Sequence, residues 1–488
     1  MTSVVSDAYI WERCPRAIDT VNSYRTKLAS DASTYQLGEI VRIAIPPVHH
    51  GFLNTANSWI NVTVKSTDGQ PLTASTTQTT PKLSPANLCM SHIGINSALD
   101  QVNVIGPNGQ YVSNIQNYQP IYAVNWANNT SRDNAMSNSI TDRSASIEDL
   151  SIANPDVTFH TIRGQSVSDE ATQVSGSTTQ VTLSEISCSP VLTGLLNTTK
   201  SLPVCWFSSD CYLELYITND VRNMFFTAGQ DETLVSGGLT FTFELDCQFD
   251  VVTDNSMRMI KDHAGYGLGP VSWSDTQQRC STYTIRADEL AQTSLNIKSQ
   301  VINGVKPRKL LSVQQAGFAF NANGDREPWE HVNPYFTFQL RIGTELYPPR
   351  PQEGLGQMYA GVGECYNQNA YTVQANRIKF HEKNDIGPVF PRLHPSSGGG
   401  GSAGTTYNHV RVGSAGVNLA NFPGLSNGLD VSDVQIESLG LLGKDTNSIY
   451  YNMGSIAELA STNYTVYTIK RFGVLYSVSD QGDFTVSY

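Results

Sequence analysis

The sequence predicts an all-β protein with antiparallel strands, and three observations lead to that prediction. Apolar and polar residues alternate in many short segments, which is the pattern of a strand with one buried face. Turn dipeptides such as Asp68-Gly69 and Asn303-Gly304 separate these segments. Only 15% of the residues are charged, while Tyr, Thr and other residues that favour sheets are abundant. Two-sheet sandwiches or barrels are therefore the expected form.

The length of the chain and a similarity in pattern between its two halves favour two domains. The 488 residues correspond to about three domains of ~150 residues or to two all-β domains of ~240 residues. A strongly alternating strand opens each half, Trp59–Lys65 in the first and Leu239–Asp246 in the second. In the latter, Phe241, Phe243 and Leu245 share one face and are predicted to be buried.

The other strong patterns give more strands and few helices. Further strands are predicted at Tyr212–Thr218, Tyr335–Ile342, Thr462–Tyr476 and Asp483–Tyr488. A helix is predicted at Asp254–Ala264, where apolar residues recur at helical spacing and Gly265 follows as a stop. A capping box at Ser455–Glu458 opens a second short helix. Both helices fit connections between strands.

The charge balance argues against nucleic acid as a direct partner. The net charge is −12, and the densest basic cluster is only Lys306, Arg308 and Lys309. Proteins that bind nucleic acid need Lys and Arg to neutralise phosphates. We therefore expect no direct binding to a genome.

Cysteine usage and the N-terminus predict a protein that is not secreted. The eight cysteines include no CxxC pair, which favours free buried thiols in a reducing compartment. The N-terminal segment lacks the apolar region of a signal peptide, and no run approaches the ~18 apolar residues of a membrane-spanning helix. Synthesis in the cytoplasm or nucleus is the resulting expectation.

A search for reactive sites gives no catalytic, cofactor-binding or metal-binding residue. The patterns GxSxG, HExxH and GxxxxGK[ST] are all missing from the sequence. The pair His49-His50 is a poor metal site if it lies on a strand, because neighbouring side chains then point to opposite faces. His331 lies among carboxylates, where a solvated loop is the favoured interpretation. We predict that the protein is not an enzyme.

Several segments together resemble a known family. They occur in the family's order and are Gly51–Lys65, Gly94–Tyr118, Ser201–Ile217, Leu239–Asp254, Lys306–Val313 and Asn333-Pro-Tyr-Phe336. They are similar to blocks of the double jelly-roll major capsid proteins of the tectivirus–adenovirus lineage. Those of polinton-like viruses, adintoviruses and virophages are the nearest in pattern.

The resemblance implies two antiparallel eight-stranded jelly-roll sandwiches side by side in one chain, with few short helices in connections. It divides the chain into an N-terminal arm at residues 1–35, a first jelly roll at 36–235 and a second at 236–488. The strand at Leu239–Asp254 would open the second jelly roll. Tyr9, Ile10 and Trp11 would anchor the arm beneath a neighbouring subunit, although a locally packed tail fits as well.

The implied function is that of a major capsid protein. Such a subunit forms a homotrimer that serves as a pseudo-hexameric, hexon-like capsomer and assembles the icosahedral capsid of a DNA-virus virion. Its partners would be neighbouring capsomers together with penton and minor or cement proteins, and an internal membrane is compatible with it. Two alternatives stay open. One is a carbohydrate-binding or glycoside-hydrolysing protein with two β-sandwich domains, and the other is a penton or minor capsid protein.

The most unusual composition lies in the segment Pro395–Thr405, which contains the run Gly398–Gly401. The run lies far from the expected domain boundary and lacks the Lys-Ser/Thr ending of a phosphate loop. Glycines permit any backbone angle and add flexibility. We expect it to belong to a long loop between strands of the second jelly roll, held by neighbouring chains wherever it is ordered.

Overall fold

A computed structural model describes twenty-one strands and three α-helices. The described residues are 20–66, 73–76, 88–90, 93–129, 179–182, 187–189, 195–196, 201–219, 225–227, 239–264, 270–285, 294–301, 309–319, 336–365, 414–421, 428–431, 436–443, 464–479 and 481–488. The Gly398–Gly401 run, His331, the Ser455–Glu458 segment and the anchors Tyr9 to Trp11 lie outside them.

Twenty-one strands are described, and all of the sequence-predicted strands are among them. The strands are β1 (Thr20–Ala29), β2 (Ile40–Ile45), β3 (Gly51–Ser66), β4 (Thr73–Thr76), β5 (Leu88–Met90), β6 (Leu99–Ile105), β7 (Tyr111–Gln116), β8 (Thr179–Thr182), β9 (Ser187–Ser189), β10 (Cys211–Ile217), β11 (Phe225–Thr227), β12 (Leu239–Val252), β13 (Val271–Ile285), β14 (Ser294–Val301), β15 (Lys309–Ala319), β16 (Phe336–Ile342), β17 (Glu345–Glu353), β18 (Ser414–Asn418), β19 (Ile436–Gly443), β20 (Tyr464–Val478) and β21 (Phe484–Ser487). The helices are α1 (Tyr118–Asn129), α2 (Asp254–Ala264) and α3 (Gly354–Cys365).

The main strands form two sandwiches with the same internal order. The first contains, in chain order, β1, β2, β3, β6, β7, β9, β10 and β12, and the second contains β13 to β20. If each set is numbered from one to eight, each sandwich has one sheet of order 1-8-3-6 and one of order 2-7-4-5. Every pairing within them is antiparallel. The predicted pair of eight-stranded jelly rolls is confirmed.

Strand β12 belongs to the first sandwich, which corrects the expectation that Leu239–Asp254 opens the second. It lies between β1 and β3, with Leu239 opposite Ser66 and Val251 opposite Gly51. Strand β13 is the first strand of the second sandwich instead. The alternation of apolar and polar residues identified the strand but not the strands it pairs with. In a jelly roll the last strand lies beside the first, although the two are far apart in the sequence.

Strand β1 also differs from the expectation of an arm at residues 1–35. It pairs with β12 along nearly its whole length, from Thr20 opposite Val252 to Ala29 opposite Glu244. Both β1 and β12 therefore lie outside residues 36–235, the range predicted for the first jelly roll. The alternation in β1 was hard to detect because even its inward residues, such as Tyr24 and Leu28, are only half-buried.

The predicted alternation places the core of the first sandwich correctly. Phe241, Phe243 and Leu245 of β12 are buried, and they belong to the same core cluster as Leu213 and Leu215 of β10, a strand of the other sheet. Burying a large apolar side chain contributes about 1.5–3 kcal/mol relative to leaving it exposed. The core of the second sandwich contains Leu310, Val313, Phe338, Leu340, Val417 and Ile436.

Helix α2 is confirmed at the predicted residues, whereas α1 and α3 were missed. Thr253 accepts a hydrogen bond from the backbone N–H of Ser256 at 3.2 Å and so caps the start of α2. Helix α1 contains a proline near its start, and α3 contains three glycines within Gly354–Val362. These residues have low helix propensity, so packing of the buried Ile121 and Val362 stabilises the two helices instead.

The position of β12 predicts how the chain can be divided. A fragment of residues 1–235 lacks β12, which leaves β1 and β3 without their shared partner. A fragment of residues 1–264 retains it. We expect the longer fragment to unfold cooperatively in urea, monitored by circular dichroism, and the shorter one to aggregate or remain unfolded. Cooperative unfolding of the 1–235 fragment would contradict this strand order.

Candidate functional site

The feature with the clearest structural role is the junction that joins the two sandwiches. We use this name for β7, α1 and residues 204–209 of the first sandwich together with β13, β20 and β21 of the second. β7 and β13 are edge strands of their sheets. An edge strand exposes unpaired backbone groups, so each of these edges needs a cover. In this chain they lie against each other.

Buried amide side chains connect the two edges. Gln277 of β13 is 1% exposed, and its Nε2 donates to the carbonyl oxygen of Val112 of β7 and to the hydroxyl of Tyr476, both at 2.7 Å. Beside it, Asn125 of α1 donates to Oε1 of Gln278 at 2.7 Å, and Gln278 donates back to Oδ1 of Asn125 at 3.2 Å. These bonds are neutral, which avoids the desolvation cost of a buried ion pair.

An aromatic cluster centred on Phe484 closes the junction. The ring of Phe484 stacks on Phe207 of the first sandwich with centroids 5.1 Å apart. On its other sides lie Trp273 and Tyr476, each with its centroid 5.7 Å away. Phe484 is completely buried, and burial raises the pKa of Tyr476. The last strand of the chain thus contributes apolar area that both sandwiches share.

The turn before β21 lies so close to the first sandwich that no side chain fits at Gly482. Gly482 has φ +84°, and a Cβ at this position would lie 2.5 Å from the backbone nitrogen of Ser208. That nitrogen donates to the carbonyl oxygen of Gly482 at 3.2 Å. Glycine is required here both for the left-handed backbone and for this contact.

The outer face of the 1-8-3-6 sheet in the first sandwich has a different character. Arg25 lies 2.8 Å from the carboxylate of Asp246 and stacks over the ring of Trp59 at 3.7 Å. Lys27 lies 3.6 Å from Glu244, and both of these side chains are about half exposed. Exposed ion pairs contribute about 0–1 kcal/mol each. This face therefore combines the buried carboxylate of Asp246 with the half-exposed pair of Lys27 and Glu244, whereas the hydrogen bonds of the junction are neutral.

A lysine is buried inside the second sandwich. Lys470 of β20 is 2% exposed and lies opposite Arg279 of β13 and Val313 of β15. Burial lowers the pKa of Lys470 to about 8, the Arg279 guanidinium acts in the same direction, and Cys280 opposes them. The ammonium form is thus held in the folded state at neutral pH at a cost in stability.

The histidine pair considered in the sequence analysis lies in a turn rather than on a strand. The rings of His49 and His50 stack 3.9 Å apart, and Nδ1 of His50 lies 3.2 Å from the carboxylate of Asp254. The opposite-face geometry of a strand therefore does not apply to this pair, which lies in the turn directly before β3. Among the residues that the structure describes, no group of three or more His, Cys, Asp or Glu side chains could hold a metal ion.

Six cysteines with described side chains form no disulfide. They are Cys188, Cys205, Cys211, Cys247, Cys280 and Cys365. Burial raises the pKa of Cys205, Cys211 and Cys247 to about 12, which keeps these three in the unreactive thiol form. Within the described part of the chain, no helix is long and apolar enough to cross a membrane.

The junction was not visible in the sequence. The sequence analysis predicted the last strand, but nothing in it marked Phe484 or Gln277 as contacts between domains. The only available signal was the position of Phe484 between polar residues at the end of the chain. Gln277 resembles any polar residue of a half-exposed strand until the fold places it against Val112.

Structure comparisons show the fold that this chain shares with viral proteins. It superimposes on a chain of the Sputnik virophage solved by cryo-electron microscopy with a TM-score of 0.57 and 12% identity, covering 100% of this chain and 93% of that one. The mavirus major capsid protein superimposes with a TM-score of 0.55 and 9% identity, covering 99% of this chain and 93% of that one. For a chain of the PBCV-1 virus capsid the TM-score is 0.54 and the identity 9%, with coverage of 98% and 99%.

Comparisons of the sequence gave no match. No protein-family model matches the chain, and no curated protein matches it at a significant level. The fold is therefore a double jelly roll, and the structures above share it along nearly the whole chain. Their sequence identities to this chain are so low that the likeness shows the fold alone.

The aromatic cluster predicts that the two sandwiches unfold together. Phe484→Ala removes the ring that both share and is expected to lower the free energy of unfolding by about 3–5 kcal/mol. Val486→Ala, two residues along the same strand but half-buried, is the matched control and is expected to cost about 1 kcal/mol or less. Calorimetry checks both, and equal losses would contradict the role of Phe484.

The buried lysine predicts a dependence of stability on pH. Since the pKa of Lys470 falls from 10.5 to about 8 on folding, the unfolded state binds more protons between these values. The contribution of Lys470 to the free energy of unfolding is therefore lowest below pH 8 and rises as the pH increases toward 10.5. Lys470→Met removes this effect.

We expect the stability difference between the Lys470→Met variant and the natural protein to change by on the order of 3 kcal/mol across the range from pH 7 to 10.5. Urea titrations at several pH values measure it. Lys309→Met, at an exposed position of the neighbouring β15, is the control. A Lys470→Met difference that stays constant with pH would refute the assignment.

Proposed function

We propose that this protein is a major capsid protein, the structural subunit of an icosahedral virus shell. The observation that carries the proposal is the presence of two jelly rolls with identical strand order in one chain. The full-length likeness to the mavirus major capsid protein supports it. The natural location of such a subunit is the virion, and its synthesis takes place in the host cytoplasm or nucleus.

The domain organisation that accompanies this proposal follows the strand pairing. We infer a first jelly roll of residues 20–252 and a second of residues 270–488, with α2 in the connection. Residues 1–19 are the segment that remains as a candidate arm. This division assigns each sandwich its eight strands, and it assigns β21 to the second one.

The proposed assembly is a homotrimer that presents six sandwiches around a threefold axis. Two similar sandwiches in each of three chains imitate sixfold symmetry, which suits a hexagonal tile. Contacts around a threefold axis are heterologous and close into a ring. Penton and minor or cement proteins are the further partners that a closed shell requires, and the net charge of −12 supports a protein without direct contact to nucleic acid.

A structural role also accounts for the buried charged groups without catalysis. Glu214 of β10 is 3% exposed and accepts hydrogen bonds from Nε and Nη2 of Arg42 on the neighbouring β2. Buried carboxylates that are paired in this way hold strands together. We therefore propose that the protein is not an enzyme.

Sizing and electron microscopy test the proposal. The purified protein is expected to have a native mass of three times 53.3 kDa and to form hexagonal tiles or shells in negative stain. A monomer that hydrolyses a glycan would overturn the proposal in favour of a carbohydrate-active protein. Pentamers would favour a vertex protein instead.

A further inference from the structure

The outer face of the 2-7-4-5 sheet in the first sandwich carries three tyrosines. The inward leucines of β10 are completely buried, so Tyr212, Glu214 and Tyr216, which alternate with them, point away from the core. On the edge strand β7, Tyr111 lies opposite Ile105 and is 50% exposed. We call this surface the tyrosine face and define it by Arg42, Asn103, Tyr111, Tyr212, Glu214 and Tyr216.

Two buried polar side chains lie at the centre of the tyrosine face. Glu214 is directly opposite Arg42 of β2 on one side and Asn103 of β6 on the other. Glu214 is 3% exposed and Asn103 is 0% exposed. Burial raises the pKa of Tyr216, and Glu214 and Tyr111 act in the same direction, so these groups lie close together. The tyrosines therefore cover the polar centre of the face.

One acceptor and one donor of this centre have no hydrogen-bond partner among the residues that the structure describes. Arg42 donates twice to Oε1 of Glu214, while Oε2 of Glu214 accepts no hydrogen bond. Oδ1 of Asn103 accepts from Gln101 at 3.0 Å, while Nδ2 of Asn103 has no acceptor. A hydroxyl group donates to a carboxylate oxygen and accepts from an amide N–H at the same time. The centre therefore suits a ligand that carries hydroxyl groups.

The tyrosine face has no net charge. Among the side chains that define it, only Arg42 and Glu214 are charged, and they bond to each other. The outer face of the 1-8-3-6 sheet differs, since it carries the ion pairs of Arg25 and Lys27 with carboxylates. A surface without net charge does not attract a charged ligand from solution. An uncharged ligand is therefore favoured.

The apolar residues of this sheet surface do not form a continuous patch. Ile40 on β2 is 47% exposed and Tyr111 on β7 is 50% exposed, and these two strands are opposite edges of the sheet. The polar centre lies between them. A surface that binds another protein usually has a contiguous apolar centre. A saccharide instead combines C–H groups that pack on tyrosine rings with hydroxyl groups that bond to polar atoms.

We propose that the tyrosine face binds a neutral saccharide. The sugar ring packs on Tyr111, and one sugar hydroxyl donates to Oε2 of Glu214 and accepts from Nδ2 of Asn103. Because both of these atoms are covered, the exposed side chain of Tyr111 turns outward as the sugar enters, a motion that is fast for an exposed residue. The face belongs to a single chain, so this binding goes beyond the proposed capsid role and does not need the trimer.

The sugar is bound and not cleaved. Glycoside hydrolysis needs two carboxyl groups that flank the bond to be broken. Among the side chains that define the tyrosine face, Glu214 is the single carboxylate, and Arg42 holds it in place. This separates the proposed binding from the activity of a glycoside hydrolase.

An array of immobilised neutral glycans tests the proposal. The purified protein is expected to bind at least one neutral oligosaccharide of glucose, galactose, mannose or N-acetylglucosamine. Calorimetry with that free sugar is expected to show binding about tenfold weaker for Tyr111→Ala, because an aromatic contact is lost. Leu475→Ala, at a similarly exposed position on β20, is the control and should bind as the natural protein does. Failure to bind any neutral glycan, or binding to charged glycans alone, would overturn the proposal.

A second variant tests the polar centre. Glu214→Gln keeps the shape of the side chain and turns an amide N–H toward the ligand in place of the acceptor Oε2. Sugar binding is expected to weaken about tenfold, with an unchanged circular dichroism spectrum as the check on folding. Unchanged affinity in the folded variant would contradict the assigned role of Glu214. If the variant does not fold, the comparison of Tyr111→Ala with Leu475→Ala decides.

The native mass of the same samples separates this proposal from the proposed capsid role. A trimer that binds no sugar overturns the saccharide site and leaves the capsid role standing. A monomer that binds sugar through Tyr111 supports the site and overturns the trimer. If Tyr111→Ala lowers the native mass instead of the sugar affinity, the tyrosine face is a contact between protein chains and the saccharide proposal is wrong.

Discussion

The unpaired backbone at the edge of each sheet is the constraint on which the rest of this structure depends. Each sandwich consists of two open sheets of four main strands, with β21 added beside β20 in the second sandwich. Every sheet therefore ends in strands with unbonded N–H and C=O groups. The chain covers these edges in different ways. The edges of β7 and β13 cover each other. Beside β18, Asn418 donates to the carbonyl oxygen of Glu364 in α3, and Gln352 of β17 donates to the carbonyl oxygen of Gly416. Prolines blunt β17 without covering it.

The chemistry of the junction suits a permanent contact. Its hydrogen bonds join neutral amides, carbonyls and hydroxyls, and its apolar part is one aromatic cluster around Phe484. Neutral groups cost less to bury than charges, although Oε1 of Gln277 is buried without a hydrogen-bond partner, and aromatic rings supply large apolar area. We infer that the two sandwiches act as one body. The hydrogen bonds among Gln277, Val112 and Tyr476 are all neutral, so this part of the junction does not depend on the charge of an ion pair.

The sequence was sufficient to predict the strands but not to predict which strands pair with each other. Alternation in Leu239–Asp246 identified a strand and its buried face correctly, because that period reflects only local geometry and burial. It could not show that the strand pairs with β1 more than 200 positions earlier, since pairing in a jelly roll joins distant segments. The domain boundary was misplaced for this reason. The junction was invisible for the same reason, as Gln277 and Val112 are likewise far apart in the chain.

Two departures from the local rules show where the tertiary structure overrides sequence preference. Helices α1 and α3 form despite proline and glycine, because Ile121 and Val362 bury apolar area on them. Lys470 stays buried among strands although burial disfavours its charge. Buried charges of this kind reduce stability, so an apolar residue would suit the isolated fold better. Its presence beside Arg279 indicates that the second sandwich tolerates a cost in stability at neutral pH, which the large apolar core and the shared junction offset.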